Sequence, residues 1–220
     1  MPDIQINERL INFILFLPVF FISLAFHEFS HAFSASRLGD DTAKNQGRLS
    51  LNPLKHIDLV GSVLMPLISF ASSSFIIGWA RPVPINRNNF KNKLRDDAIV
   101  SFAGPLANFI LAILMFVVYV ALSSPSMAES PVVQRLSGLM WMGSYFNVFL
   151  FGFNLLPIPP LDGSHILFDI FPNELTARIA GSGLYGFFIL MIFIFSPLWG
   201  YFISAINFIF KLFIFAGGKL

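Results

Sequence analysis

The sequence contains no cysteine, so disulfides, thiolate-ligated zinc and thiol nucleophiles are all excluded. Charge is nearly as scarce. Asp, Glu, Lys and Arg make up 12% of the 220 residues, about half of the roughly 25% found in a soluble domain. So few charges cannot cover a water-facing surface, which excludes a disordered chain, a nucleic-acid-binding arm and an ordinary cytosolic enzyme. Histidine is limited to His27, His31, His56 and His165, so any metal site draws on a short list. What the chain has instead is apolar bulk: 55% hydrophobic residues, with 28 Phe among them. That is the composition of a polytopic membrane protein, with the lipid bilayer as its solvent.

A helix that crosses a bilayer needs roughly 20 mostly apolar residues. Uncharged runs lie at 10–26, 59–80, 99–122, 136–161 and 179–210, the first reaching about 35 if His27 and Glu28 are included. The last run is too long for one crossing and has Ser196-Pro197 near its middle, so it reads as two helices turning there. The first run is preceded by Asp3 and Glu8 against a single Arg9, and no small-x-small cleavage site follows it. It therefore reads as a permanent span and not as a signal peptide. The expectation is an all-α polytopic membrane protein with one membrane-embedded domain over 1–220. Its catalytic core would occupy about 10–170 and an accessory helix pair about 179–216, giving about five full transmembrane helices. One further apolar segment, 57–80, would be re-entrant or a sixth span, with a short extended element.

Within the first span lies His27-Glu28-Phe29-Ser30-His31, an HExxH motif. Positions i and i+4 share one face of a helix, so both imidazoles can bind one ion, with Glu28 beside them as a base for metal-bound water. With four His and four Glu in the chain, chance supplies only about 0.001 such matches. Ionisable side chains inside a span are costly and mark function. A catalytic zinc takes three protein ligands and leaves one position for water. Asp162 is the candidate for the third, because Phe153-Asn154-Leu155-Leu156-Pro157-Ile158-Pro159-Pro160-Leu161-Asp162-Gly163 ends a span with three prolines and a carboxylate. A helix cap at the membrane surface is the plainer reading of that Asp. The third feature is Ala103-Gly104-Pro105-Leu106-Ala107-Asn108. A buried Asn108 can hydrogen-bond a substrate carbonyl or oxyanion, or it can bond across helices at a small-residue packing site.

HEFSH in a membrane helix, AGPLAN and FNLLPIPPLDG, in that order, resemble the site-2 protease family of intramembrane zinc metalloproteases. The stretches Gly47-Arg48-Leu49-Ser50-Leu51-Asn52-Pro53 and Gly78-Trp79-Ala80-Arg81-Pro82-Val83-Pro84-Ile85-Asn86 resemble its compact prokaryotic branch, which lacks appended PDZ or CBS domains. The resemblance implies that His27, His31 and Asp162 bind one Zn2+, that Glu28 is the base, and that Asn108 aids substrate or transition-state binding. It also implies transmembrane protein substrates, cleaved in regulated intramembrane proteolysis. A homo-oligomeric or regulatory membrane partner is left open. One departure stands out: the family often carries Arg shortly after the Asp-Gly pair, and here that place holds His165. His56 lies among charges and suits a structural role. A non-proteolytic metal transporter or sensor using the same ligands is the rival class, although it has no need of a Glu directly after the first His.

For the three motifs to meet, the first span must end, the 99–122 span begin and the 136–161 span end on one membrane side. The segment 59–80 must then leave and return on that side, and the Pro-spaced 79–85 reads as extended chain. Ten basic residues fall on that side: Arg37, Lys44, Arg48, Lys55, Arg81, Arg87, Lys91, Lys93, Arg95 and Arg178. Only Arg9 and Arg135 lie opposite, so the site side is expected to be cytoplasmic in a cell membrane, with Lys211 and Lys219 returning there. Ser30, Asn108, Asn154 and His165 are candidates to line a water path to the site.

Overall fold

The computed structural model describes residues 2–72, 78–125, 127 and 129–218. Helices dominate, and no strand occurs among the described residues. In order they are α1 (Pro2–Arg37), α2 (Thr42–Asn45), α3 (Met65–Ser72), α4 (Lys93–Leu122), α5 (Pro131–Asn154), α6 (Asp162–Ile170), α7 (Glu174–Ala180), α8 (Gly183–Phe195) and α9 (Leu198–Ala216). Among the described residues, four helices are long and apolar enough to cross a membrane: Glu8–Arg37 of α1, then α4, α5 and α9. Counting α7 and α8 as one span bent by 84° makes five.

The central helix is α4, packed on α1, α5 and α6. Phe16, Phe20 and Leu24 of α1, Ala112 and Phe116 of α4, Val148 and Phe149 of α5 and Ile206 and Phe210 of α9 form the main core. In lipid such packing holds helices together through van der Waals fit, since the surrounding tails are as apolar as the side chains. The neighbours run antiparallel. Ser144 of α5 donates to the Ala112 carbonyl of α4 at 2.8 Å, while Ser123 and Ser137 meet at the far end at 2.9 Å. The start of α4 and the end of α5 therefore lie beside the last turns of α1, as the convergence of motifs requires.

The segment between α1 and α4 goes in as helix and comes back as extended chain. Asp58 opens the way in: its carboxylate accepts from the N–H groups of Val60 and Gly61 at 3.1 and 2.7 Å, capping a π-helical turn at Leu59–Leu64 that continues into α3. Phe70 then stacks on Phe13, and its carbonyl accepts from Arg9, near the beginning of α1. The return leg, 78–86, runs down beside α1. Trp79 N–H reaches the Gly61 carbonyl at 3.0 Å, Val83 meets Glu28, and Asn86 N–H meets Asp40 at 2.7 Å. Residues 73–77, at the tip of this segment's sequence, lie outside the described residues, as does Lys219.

Polar anchors secure the leg on the site side. Fully buried Asp40 accepts from the Thr42 hydroxyl at 2.5 Å and from the Asn86 N–H and Asn89 amide at 2.7 Å. Arg48 donates to the Arg81 carbonyl at 2.6 Å. Arg87 bridges Asp97 of α4 and Asp169 of α6, the latter at 3.0 Å. His56 ties the loop to the leg, its ring bonded to the Ser50 carbonyl at 2.7 Å and its own carbonyl accepting the Arg81 N–H at 2.8 Å.

At the C-terminal end the turn at Ser196-Pro197 stands where the sequence puts it, between α8 and α9. The run does not begin as one helix at Ile179, however. Gly181 and Ser182 interrupt it and separate α7 from α8, consistent with the poor helix propensity of glycine.

Candidate metal centre

His27 and His31 lie one turn apart on α1, buried to 8% and 5% exposure. The three prolines of 157–160 halt α5 at Asn154, and the chain turns back to start α6 at Asp162. Gly163 makes that return possible, since a Cβ there would lie 2.3 Å from the Leu155 carbonyl oxygen. Gly104 does the same for α4, where a Cβ would stand 2.3 Å from His31 Nε2 and 2.8 Å from His27 Cε1. The sequence signature AGPLAN thus includes a residue whose missing side chain makes room for the histidine pair.

Three ligand atoms converge. The two Nε2 atoms are 3.1 Å apart, and Asp162 Oδ2 lies 3.2 Å from His27 Nε2 and 3.4 Å from His31 Nε2. Ligands bound to zinc at ~2.0–2.1 Å in a tetrahedral arrangement are roughly 3.3 Å from one another. The outer ring nitrogens decide the protonation. His31 Nδ1 donates to the Val100 carbonyl and His27 Nδ1 to Asn108 Oδ1, each at 2.7 Å. Both acceptors require a protonated Nδ1, which leaves both Nε2 atoms bare in the neutral rings. Asp162 Oδ2 is buried and has no hydrogen-bond donor. Two bare imidazole nitrogens and an unsatisfied carboxylate oxygen, all pointing at one another, repel unless a cation lies between them. This donor set fits a divalent metal, and the oxygen-and-nitrogen composition suits zinc. Among the described residues these three form the group of His, Asp and Glu close enough to share an ion.

Glu28 is buried at 8% exposure, one residue along from His27, and its Oε2 accepts the Val83 N–H of the return leg at 2.8 Å. Asn108 is fully buried. Its Oδ1 faces His27, while its Nδ2 donates to the Ser23 carbonyl at 3.2 Å and to Asn147 Oδ1 at 2.9 Å. Both ends of the amide are engaged across helices, which is one of the two roles the sequence left open, and the partner of Oδ1 is a zinc-site histidine. Asn154 likewise turns back to its own helix, donating to the Leu150 carbonyl at 3.0 Å. His165 stands one turn beyond Asp162 on α6, outside the converging set, where burial and then Arg87 hold its imidazole below the usual range. Sequence reasoning missed Val83, Ser23 and Asn147. For the last two a signal existed: each is an uncharged polar residue in the middle of a span, where a partner is required.

A profile of Peptidase family M50 matches residues 15–137 and 126–195, stretches that include all three converging ligands. Relatives named "Putative zinc metalloprotease" align over much of the chain. YwhC of Bacillus subtilis (strain 168) is 39% identical over 181 residues, 82% of this chain and 80% of the relative. Rip2 of Mycolicibacterium smegmatis (strain ATCC 700084 / mc(2)155) is 34% identical over 185 residues, 84% of this chain and 68% of the relative. MJ0611 of Methanocaldococcus jannaschii is 34% identical over 97 residues, 43% of this chain and 44% of the relative. No solved structure matches the chain significantly. With membrane-length helices around a zinc-compatible centre, the chain belongs to peptidase family M50, the site-2 proteases, and is a membrane zinc metalloprotease.

Proposed function

We propose that this protease hydrolyses peptide bonds in or beside the transmembrane segments of other membrane proteins, as in regulated intramembrane proteolysis, from a site facing the cytoplasm of a prokaryotic cell. The observation that carries the reading is the depth of the centre. His27 lies ten residues before the end of α1 at Arg37, which at 1.5 Å per residue is about 15 Å inside the helix end. The excess of Lys and Arg on that side supports the cytoplasmic orientation.

His27, His31 and Asp162 would hold the metal. Zinc, when bound, lowers the pKa of a water to ~7 and polarises the scissile carbonyl. Glu28 takes the proton from the attacking water and later delivers it to the leaving amine. The Val83 N–H fixes one oxygen of that carboxylate and leaves the other for the water. Asn108 acts on His27, whose ring proton its Oδ1 accepts. A helical substrate hides its carbonyls in its own hydrogen bonds and must unwind locally. The extended leg beside Glu28 gives such an unwound segment backbone carbonyls to meet, its own N–H groups at Arg81 and Val83 being already bonded.

Glu28→Gln tests the reading in liposomes carrying a model transmembrane substrate with helix-weakening residues. Cleavage is expected to fall at least ~100-fold, the usual share of a general base, with zinc still near one per chain. Retained cleavage removes Glu28 from its role. A wild-type enzyme that cuts soluble peptides but no membrane-embedded substrate overturns the intramembrane reading.

A further inference from the structure

Three spanning helices meet at uncharged polar side chains deep in the protein. Ser23 of α1, Asn108 of α4 and Asn147 of α5 are each 0% exposed. Polar groups at membrane depth need partners, and the partners here fix the direction of every bond. Asn147 Nδ2 lies 2.8 Å from the Gly143 carbonyl, which only accepts, so that end of the amide is the nitrogen. The same nitrogen donates to Ser23 Oγ at 2.8 Å, whose own proton goes to the Val19 carbonyl at 2.7 Å. Asn147 is left presenting Oδ1 to Asn108, whose Nδ2 donates to it at 2.9 Å and to the Ser23 carbonyl at 3.2 Å, so two acceptors turn the amide the same way. Asn108 in turn presents Oδ1 to His27 Nδ1. An acceptor at that point keeps the ring proton on Nδ1 and leaves Nε2, the atom aimed at His31 and Asp162, bare.

We propose that Asn147 is a positioning residue for the zinc site: with the Ser23 carbonyl it fixes the amide of Asn108, as the closer of the two acceptors, and through it the tautomer of His27, so that the Nε2 lone pair faces the metal position before metal arrives. The inference rests on His27 being one of the three proposed ligands. It differs from a role as glue between helices. Glue changes zinc binding only by loosening the bundle, whereas a residue that sets the tautomer changes zinc binding in folded protein and acts through Asn108 alone.

The test uses the full chain in detergent, labelled with 15N-histidine. In metal-free wild type at mildly alkaline pH, long-range 1H–15N correlation finds His27 with its proton on Nδ1. In Asn147→Leu the other tautomer appears, and zinc affinity measured by chelator competition falls about three- to tenfold. Asn108→Leu, which removes the contact to His27 itself, loses about ten- to hundredfold, the range for lost hydrogen-bond partners of metal-binding histidines. The double variant matches Asn108→Leu, because the two residues lie on one path. Ser23→Ala, a milder change on the same path, gives a smaller loss in the same direction and serves if Asn147→Leu does not fold. The proposal is overturned if folded Asn147→Leu or Ser23→Ala protein keeps the wild-type tautomer and affinity, or if the losses of the double variant multiply. Failure of the ligand assignment looks different, since His27→Ala would then bind zinc as well as wild type.

Discussion

The first and last helices are built from the same apolar stock and face the same bilayer, but they use it differently. In α1, 44% of the most apolar window is buried inside the protein; in α9 the share is 11%. The buried side of α1 includes Ser23, His27, Glu28 and His31. The buried side of α9 is Ile206 and Phe210, while Tyr201, Phe208 and Phe215 point outward. Apolar content alone thus sends a helix into lipid, and the polar exceptions, each with a fixed partner, decide where it sits and what it does.

The largest effect that would sharpen this contrast comes from a residue facing α1. Gly104→Ala places a Cβ 2.3 Å from His31 Nε2, and the histidine pair must move. Zinc content by atomic absorption is expected to fall below roughly a tenth per chain, and cleavage to fall at least ~100-fold with it. A fully loaded Gly104→Ala protein would mean that α4 can back away without cost.

On α9 the expected effects are smaller and purely mechanical. Ile206 is 2% exposed and fills the space above Gly152, so Ile206→Ala should cost about 2 kcal/mol in detergent unfolding with zinc content unchanged. Leu212, 52% exposed, should cost less than about 0.5 kcal/mol when replaced by Ala. Loss of zinc from Ile206→Ala would break the comparison, since α9 would then help shape the site.

The last effect shows only in acid and concerns the end of α1, which has an ionisable anchor. Burial pushes the Asp40 carboxyl up, but bonds from Thr42, the Asn86 N–H and Asn89 outweigh it and hold the group below the usual carboxylate range. A carboxylate lowered on folding stabilises the protein above its unfolded pKa of ~3.9, and that contribution is lost as pH falls through the folded value. Acid unfolding of wild type should therefore be steeper below about pH 4 than that of Asp40→Asn.

Much of the site was legible because membrane depth makes charge conspicuous. Glu28 and Asp162 stood out in otherwise uncharged surroundings, and the need to bring them together implied a segment that enters and leaves on one side. The turn at Ser196-Pro197 was legible from proline chemistry. What remained hidden was pairing across long separations. Val83 is 55 residues from Glu28 in sequence and meets it through a backbone N–H, which no side-chain pattern reveals. Asn147 looks like any tolerated amide in a span until its neighbours are known. Asn108 was recognised as important, but its partner depends on the rotation of α4 against α1, and the motif does not encode that rotation.

The return leg carries a final consequence. Among residues 81–84, Pro82 and Pro84 have no N–H at all, the Arg81 N–H goes to the His56 carbonyl, and the Val83 N–H goes to Glu28. Every backbone donor in that stretch is therefore either absent or matched, which lets extended chain lie beside a buried site without a sheet to complete it. The base of the reaction is thereby also a structural acceptor. Glutamine at position 28 preserves an oxygen for Val83 and alanine does not, so only the amide separates lost chemistry from a detached leg.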